Sequence, residues 1–106
     1  MEGRVAKKLS RKLPPLHPGE VLREEFLVPR DMSAGALAKA CGVPRTRIER
    51  LANEQTGVTA DTALRLSMAF GTTPELWLNL QNSFDVQTAR SKIVDELARI
   101  ARVKAA

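Results

Sequence analysis

Apolar residues recur along this chain mainly at the three- and four-residue steps of an α-helix, and no segment alternates as a half-buried strand does. Residues that favour helix starts and ends punctuate this pattern. The predicted starts are Pro18, Ser33, Pro44, Thr59 and Thr73-Pro74, and the predicted ends are Pro29, Gly42 and Gly71. The chain is therefore predicted to be all-α, with five or six short helices.

The same pattern predicts which helices are buried. The fourth helix is apolar nearly all round, as a buried central helix is, through Leu64, Leu66, Met68 and Phe70. The fifth helix has one apolar side, formed by Leu76, Trp77, Leu80 and Phe84. Beyond it, a further series predicts an amphipathic C-terminal helix over 86–106, through Val86, Ala89, Ile93, Leu97, Ile100 and Val103. We expect that helix to pack on the domain formed by residues 17–85 or on a dimer partner.

Three single residues have simple interpretations. Leu78 lies off the apolar side of the fifth helix, so its burial needs a second surface. A dimer partner and another helix of the same chain are the two candidates, which makes Leu78 a candidate dimer contact. Trp77 is interpreted as a core residue, and His17, directly before a proline that starts a helix, as a local cap or a surface residue.

Composition limits the chain to one compact domain, since it has 106 residues. The net charge of +5 is concentrated at the N-terminus, because residues 1–16 hold five basic residues and one acidic residue. The rest of the chain is nearly neutral, so its bulk charge does not indicate a nucleic-acid partner. Residues 1–16 are predicted to be a flexible basic arm, either without a specific role or wrapped into a DNA minor groove.

Several function classes are not expected. No nucleophile–base pair, glycine-rich phosphate loop or buried pair of carboxylates is recognisable, so we predict no enzyme activity and no cofactor. One histidine, His17, and one cysteine, Cys41, provide too few ligands for a metal site. No apolar run approaches the roughly 20 residues that cross a bilayer. Cys41 has no partner for an internal disulfide and is interpreted as a small core residue, which favours a reducing compartment and a cytoplasmic location.

Residues 34–52 have the residue types of a helix-turn-helix. Ala38 stands where two crossing helices leave room for only a small side chain, and Gly42 stands where the turn favours a positive φ. The apolar anchors before, within and after the turn are Leu37, Cys41, Val43, Ile48 and Leu51. An ordinary helical hairpin could show the same anchors, so the spacing alone leaves that alternative open.

The third predicted helix favours DNA binding over a simple hairpin. With Ile48 and Leu51 placed inward at 100° per residue, the outward side chains are Thr46, Glu49, Arg50 and Asn53, and the flanking ones are Arg45 and Arg47. Arg50 suits a bidentate contact to guanine, and Thr46 suits a thymine methyl or a phosphate. Glu49 could accept a hydrogen bond from cytosine, or pair with Arg45 four residues earlier. Flanking arginines suit phosphates.

The chain resembles the HigA/VapI-type antitoxins of the XRE, or lambda-repressor-like, superfamily. The matching stretches are 17–27, the helix-turn-helix, 57–66 and 70–81, of which the last, with Trp77-Leu78-Asn79-Leu80-Gln81, is the most diagnostic. The resemblance implies a five-helix repressor-like fold, here with an additional C-terminal helix, and a homodimer on an inverted-repeat operator. It also implies repression of the protein's own operon and neutralisation of a RelE-like ribonuclease toxin.

Two alternatives and two departures accompany the resemblance. A solitary XRE-type transcriptional regulator would have the same fold without a toxin partner, and an adaptor of that fold would bind protein instead of DNA. Pro44 stands where relatives often have a polar capping residue, and loss of such a cap costs about 1 kcal/mol. The basic arm and the long C-terminal segment are less typical, so the resemblance implies no role for them.

Overall fold

The computed structural model describes residues 14–104, and within them it contains six helices and no strand. Helix α1 is Pro18–Val21, continued by a π-helical segment, Leu22–Leu27. The others are α2 (Ala34–Cys41), α3 (Arg45–Ala52), α4 (Ala60–Phe70), α5 (Pro74–Lys92) and α6 (Val94–Ala98). The predicted all-α class is confirmed. The predicted arm, 1–16, lies outside the described residues except for its last three.

Local capping explains where most of these helices begin and end. Ser33, Thr59 and Thr73 precede α2, α4 and α5, and each side-chain oxygen accepts a hydrogen bond from the amide three residues on, at 3.0, 3.3 and 3.2 Å. Such a cap is worth about 1 kcal/mol. Gly42 and Gly71 end α2 and α4 with φ of 69° and 71°, in the left-handed region that favours glycine. These starts and ends were all predicted from the sequence.

The first helix differs from an ordinary α-helix in its second half. The amide of Val28 donates to the carbonyl of Arg23 five residues earlier, at 2.9 Å, which is π-helical bonding. This wider turn brings residues five apart closer to one face than a 3.6-residue turn does. Leu22 and Leu27 are such a pair, and both are buried. The π-helical segment therefore lets α1 place two leucines in one core.

The core lies between α1, α2, α3, α4 and the first half of α5. Trp77, fully buried, is its largest residue, and its indole Nε1 donates to Thr72 Oγ1 at 2.9 Å. The predicted roles of Trp77 and Cys41 as core residues are confirmed. The buried apolar residues are Leu22, Leu27, Leu37, Ala38, Cys41, Ile48, Leu51, Ala52, Val58, Ala63, Leu66 and Trp77.

The predicted all-round burial of α4 is wrong. Leu66 is buried and Phe70 half-buried, but Leu64 is 56% exposed and Met68 is 86% exposed. Leu64 and Met68 are four residues apart and share the face opposite the core. A domain of this size covers α4 from one side only, so that face has no neighbour within the described chain.

The predicted separate C-terminal helix over 86–106 is also not observed. Helix α5 runs without a break through residue 86 to Lys92, the backbone turns at Ile93 (φ −121°, ψ 26°), and α6 ends at Ala98. No apolar residue from 86 to 104 belongs to the core or packs against it. The reason is length: nineteen residues of α5 span about 28 Å, more than the width of the core that its first half covers.

His17 links three elements at the start of the domain. Its Nδ1 caps α1 by accepting a hydrogen bond from the Gly19 amide at 2.8 Å, and its ring makes an edge contact with Phe84 of α5 at 4.7 Å between centroids. It also lies near the backbone of Thr56, in the loop before α4, which acts to raise the pKa of His17. His17 is thus the predicted cap, but it is buried and not a surface residue.

We predict that His17 makes stability depend on pH. Burial lowers the pKa of His17, although Glu54 and Asp85 nearby act in the opposite direction and Arg23 adds to the lowering. The unfolded chain therefore binds this proton more tightly than the folded chain. Stability should be complete above about pH 6.5 and should fall as pH falls through the folded pKa. The midpoint of urea unfolding, measured from about pH 7.5 to about pH 5, reports this loss.

The matched control is His17→Asn. Asparagine keeps an oxygen that can cap α1 but has no group that titrates. The variant should be less stable overall, because it lacks the ring packed on Phe84, and its midpoint should change little over the same pH interval. Parallel curves for the two proteins would show that other groups cause the pH dependence.

Candidate nucleic-acid interface

Helices α2 and α3 form the predicted helix-turn-helix. The turn between them is closed by two amides: Gly42 N donates to Lys39 O at 3.3 Å, and Val43 N donates to Ala38 O at 3.0 Å. Ala38 is 2% exposed, which fits the predicted close crossing of the two helices. Pro44 stands before α3 in extended backbone and makes no capping hydrogen bond with its side chain, as its residue type predicted.

Three apolar residues hold the inner face of α3 against the rest of the domain. Ile48, Leu51 and Ala52 are buried. Helix α1 approaches this face so closely that a Cβ on Gly19 would lie 1.8 Å from the carbonyl oxygen of Leu51. Only glycine therefore fits at residue 19 without a shift of one helix against the other. The anchors Leu37, Ile48 and Leu51 are buried and Val43 is half-buried.

The C-terminal end of α3 is fixed by an arginine of α1. Arg23 Nη1 donates to the carbonyl of Ala52, and Arg23 Nη2 contacts Glu54 Oε2 at 3.1 Å. Glu54 has φ of 62°, so the chain turns sharply directly after α3. A cation at a helix C-terminus also stabilises the helix dipole. Arg23 thus sets where α3 ends.

The loop from α3 to α4 is fixed by Gln81 of α5. Its Oε1 accepts from the amide of Val58 at 2.6 Å, and its Nε2 donates to Asp85 at 2.9 Å. Gly57 is so close to this side chain that a Cβ there would lie 2.8 Å from Gln81 Oε1. The diagnostic stretch that ends at Gln81 therefore holds the loop that follows α3 in place.

The side chains predicted to read DNA lie on the open side of α3. Thr46, Arg50 and Asn53 are exposed, and Glu49 is half-buried. The side chain of Arg50 makes no hydrogen bond or ion pair with any other residue from 14 to 104. Its guanidinium, with five donors and a permanent charge, is available to an acceptor outside this chain.

The two predicted flanking arginines are both paired. Arg45 Nε lies 3.4 Å from Glu49 Oε2, which is the i, i+4 pairing that the sequence left as an alternative for Glu49. The Arg45 side chain is 71% exposed and the Glu49 side chain 43%, so water screens this pair; it is worth little and could be exchanged for DNA contacts at small cost. Arg47 Nη1 contacts Asp61 Oδ1 at 2.8 Å, and Asp61 in turn contacts Arg65 Nε at 2.7 Å.

Asp61, Arg65, Arg23 and Gln81 were not identified from the sequence as parts of this site. Asp61 and Arg65 are four residues apart on α4, which indicates an ion pair on that helix. Nothing local indicates that Asp61 also meets Arg47, because fourteen residues and a loop separate them. The contact between Arg47 and Asp61 depends on how α3 and α4 pack.

Leu78, the candidate dimer contact, is half-buried and packs against the core of its own chain. Its part in a dimer stays a prediction. Among residues 14–104, no cluster of three or more His, Cys, Asp or Glu side chains is arranged to hold a metal ion. None of the helices in this range is both long and apolar enough to span a membrane.

Comparison with known proteins identifies the family. The helix-turn-helix family (HTH_3) matches residues 22–77. Virulence-associated protein I of Dichelobacter nodosus is 51% identical over 78 residues, 74% of this chain and 72% of that protein. Antitoxin HigA-1 of Vibrio cholerae is 40% identical over 82 residues, 77% of each chain. The uncharacterized HTH-type transcriptional regulator YbaQ of Escherichia coli K12 is 35% identical over 99 residues, 92% of this chain and 86% of that protein.

Solved structures have the same fold. Antitoxin GraA in complex with its operator matches with a TM-score of 0.82 and 47% identity, over 90% of this chain and 97% of that one. Pseudomonas aeruginosa antitoxin HigA with the higBA promoter matches with a TM-score of 0.81 and 37% identity, over 85% of this chain and 99% of that one. The chain therefore belongs to the XRE-type helix-turn-helix family and, within it, to the group of HigA and VapI relatives.

Proposed function

We propose that this protein binds operator DNA in a sequence-specific manner and represses the operon that encodes it. The observation that carries the proposal is the exposed, rigidly supported outer face of α3, with an arginine at its centre that pairs with nothing in the described chain. The related GraA and HigA proteins, whose structures contain an operator and a promoter, support the same use of this fold. No reaction is proposed, and we place the protein in the cytoplasm, where operator DNA lies.

In this mechanism α3 is the recognition helix, which enters the major groove with its outer face towards the bases. Arg50 makes bidentate hydrogen bonds to a guanine, while Thr46 and Asn53 lie beside it on the same face. Arg45 and Glu49 separate from each other and turn to phosphate and base, which costs little because their pair is exposed. The inner face of α3 stays buried, so the helix binds as a preformed element.

We predict that Arg50→Ala weakens binding to a DNA duplex that the wild-type protein selects from a random library. The expected loss is about 1–3 kcal/mol, because one bidentate base contact disappears, and preference at one base pair should relax. Gel-shift titrations against the selected duplex and its single-base variants measure both effects.

The control for this variant is Arg30→Ala. Arg30 is exposed after α1 and lies over the rings of Phe26 and Phe70, so the substitution removes the same charge outside both α3 and segment 86–104. Arg30→Ala should leave base preference unchanged. If Arg50→Ala and Arg30→Ala lower affinity equally and neither changes preference, Arg50 acts only as a general positive charge and the proposed base contact is wrong.

We further propose that the protein is the antitoxin of a type II toxin–antitoxin pair and neutralises a RelE-like ribonuclease. The relatives named antitoxin HigA-1 and antitoxin GraA support this proposal. The nearest reading frame to the gene should encode a small ribonuclease-like protein. Induction of that frame alone should stop growth, and co-expression of this chain should restore it. An adjacent frame that is harmless, or growth arrest that this chain does not relieve, contradicts the antitoxin role.

A solitary transcriptional regulator is the second candidate. The match to YbaQ, named an uncharacterized HTH-type transcriptional regulator, covers 92% of this chain and is the observation that favours this alternative. If the protein binds DNA but does not restore growth in the co-expression experiment, it is a solitary regulator. An adaptor that binds only protein is the third, and it would be selected by absence of DNA binding at low salt.

We propose that the protein acts as a homodimer and that the C-terminal segment 86–104 forms part of the interface. Its apolar residues stay uncovered in one copy, with Ile100 71% and Val103 90% exposed. Helix α6 has five residues and none of them is buried, so it has too few internal contacts to be stable alone. Pairing with the same segment of a second copy would cover these residues, and an inverted-repeat operator needs such a two-fold arrangement.

We predict that Leu97→Lys with Ile100→Lys weakens dimerisation by at least about 100-fold, because charged groups would replace apolar ones on both copies. Sedimentation at several protein concentrations measures the dissociation constant. Met68→Lys is the matched control, since Met68 is exposed on α4, away from the segment. If Met68→Lys separates the subunits and the double variant does not, the interface lies on α4.

A further inference from the structure

Three charged side chains meet where the turn, α3 and α4 join. Arg47 Nη1 of α3 and Arg65 Nε of α4 both donate to one oxygen, Asp61 Oδ1, at 2.8 and 2.7 Å. Arg65 Nη1 also donates to the carbonyl of Cys41, at the end of α2, at 2.7 Å. A single carboxylate therefore connects the recognition helix to an arginine that is itself anchored on the turn.

This arrangement restricts Arg47 more than an isolated surface ion pair would. Two guanidinium groups repel each other, and they converge here only because the carboxylate lies between them. Hydrogen bonds from Arg65 first, and from Arg47 second, lower the pKa of Asp61, so the carboxylate is firmly ionised at neutral pH. Asp61 is held in place by the first turn of α4 and by Arg65. Its second contact, with Arg47, can therefore determine where the Arg47 guanidinium lies.

Arg47 keeps donors for a further ligand. Its bond to Asp61 uses Nη1, and within the described chain neither Nε nor Nη2 makes a hydrogen bond. Arg47 precedes Arg50 by three residues and so lies on the adjoining stripe of α3, at the edge of the outer face. An open cleft of about 260 Å³ borders it, between α3 and the start of α4, with Thr56 and Thr59 among its lining residues.

We propose that Asp61 is a positioning residue for DNA binding: anchored by Arg65, it holds the Arg47 guanidinium at the edge of α3 so that its unused donors meet one DNA phosphate. The proposal rests on the proposed DNA-binding function and deepens it. It assigns Arg47 to a directed phosphate contact that sets how α3 lies in the groove, not to a mobile surface charge. A fixed phosphate contact sets register, and register determines which bases the outer face can reach.

Asp61 has two opposite effects on DNA, and this makes the proposal testable. As a negative charge it repels every phosphate, which weakens binding to any sequence. As a positioning residue it strengthens binding only where α3 is correctly seated. Removal of its charge should therefore lower the ratio of specific to non-specific affinity, and loss of folding stability alone would lower both affinities together.

The experiment compares wild type and Asp61→Asn on two duplexes of equal length and composition. One is selected by the wild-type protein from a random library, and the other is a shuffled version. For Asp61→Asn we expect binding to the selected duplex to weaken about five- to tenfold, the size of one ordinary oriented hydrogen bond, because Arg47 keeps its charge and loses only its orientation. Binding to the shuffled duplex should stay unchanged or strengthen. Glu75→Gln, which removes the same charge at the exposed start of α5 and outside segment 86–104, should leave the ratio unchanged.

A double-variant cycle identifies Arg47 as the residue through which Asp61 acts. In the Arg47→Ala background, Asp61→Asn should no longer lower the ratio of selected to shuffled affinity. Arg47→Ala should also reduce the salt dependence of binding by about one counterion for each bound subunit, whereas Asp61→Asn should not. Asp61→Glu keeps the charge and should restore part of the ratio lost in Asp61→Asn.

Two results would overturn the proposal. Equal strengthening on both duplexes by Asp61→Asn would mean that Asp61 only competes with phosphate for Arg47. An undiminished fall of the ratio in the Arg47→Ala background would mean that Asp61 acts through another residue. If wild type itself does not distinguish the two duplexes, the proposed function fails first, and that result is separate from both.

Discussion

The structure depends on holding one short helix in place. Helix α3 has eight residues and no side-chain N-cap, so its own hydrogen bonds cannot keep it folded in water. Its stability comes from contacts with other elements. Ile48 and Leu51 are buried in the core, Gly19 lets α1 press against the backbone of Leu51, and Arg23 bonds to its last carbonyl. The core and α1 together fix the depth and the C-terminal end of α3.

That constraint explains why the supporting residues are so closely packed while the outer face is left open. Gln81 fixes the loop that follows α3, and His17 connects the start of the domain to the same loop. The Asp61 network holds the side of α3 that faces α4. Because the recognition helix is already ordered before it meets DNA, its ordering does not reduce the free energy of binding. The support is thus part of recognition, although only the outer face can touch a base.

The sequence predicts the elements of this fold better than their tertiary contacts. Helix starts at Ser33, Thr59 and Thr73 are predictable because a cap acts within three residues. The inner and outer faces of α3 are predictable because helical periodicity places them. Which side of α4 is covered depends on neighbours, so the exposure of Met68 was not foreseen. The pairing of Arg47 with Asp61 is missed for the same reason, whereas the pairing of Arg45 with Glu49 is one of the two alternatives that the sequence offers, because it is local.

The proposed DNA contact and the proposed dimer contact lie on different parts of the chain, α3 and segment 86–104, and they have different physical requirements. One copy of α3 offers few base-reading side chains, so a single copy can discriminate only a few base pairs. Joining two copies makes the second contact intramolecular and multiplies affinity without any new residue on α3. The uncovered apolar residues of 86–104 lie beyond the core. An interface there can therefore bring two recognition helices together without disturbing the contacts that hold either one.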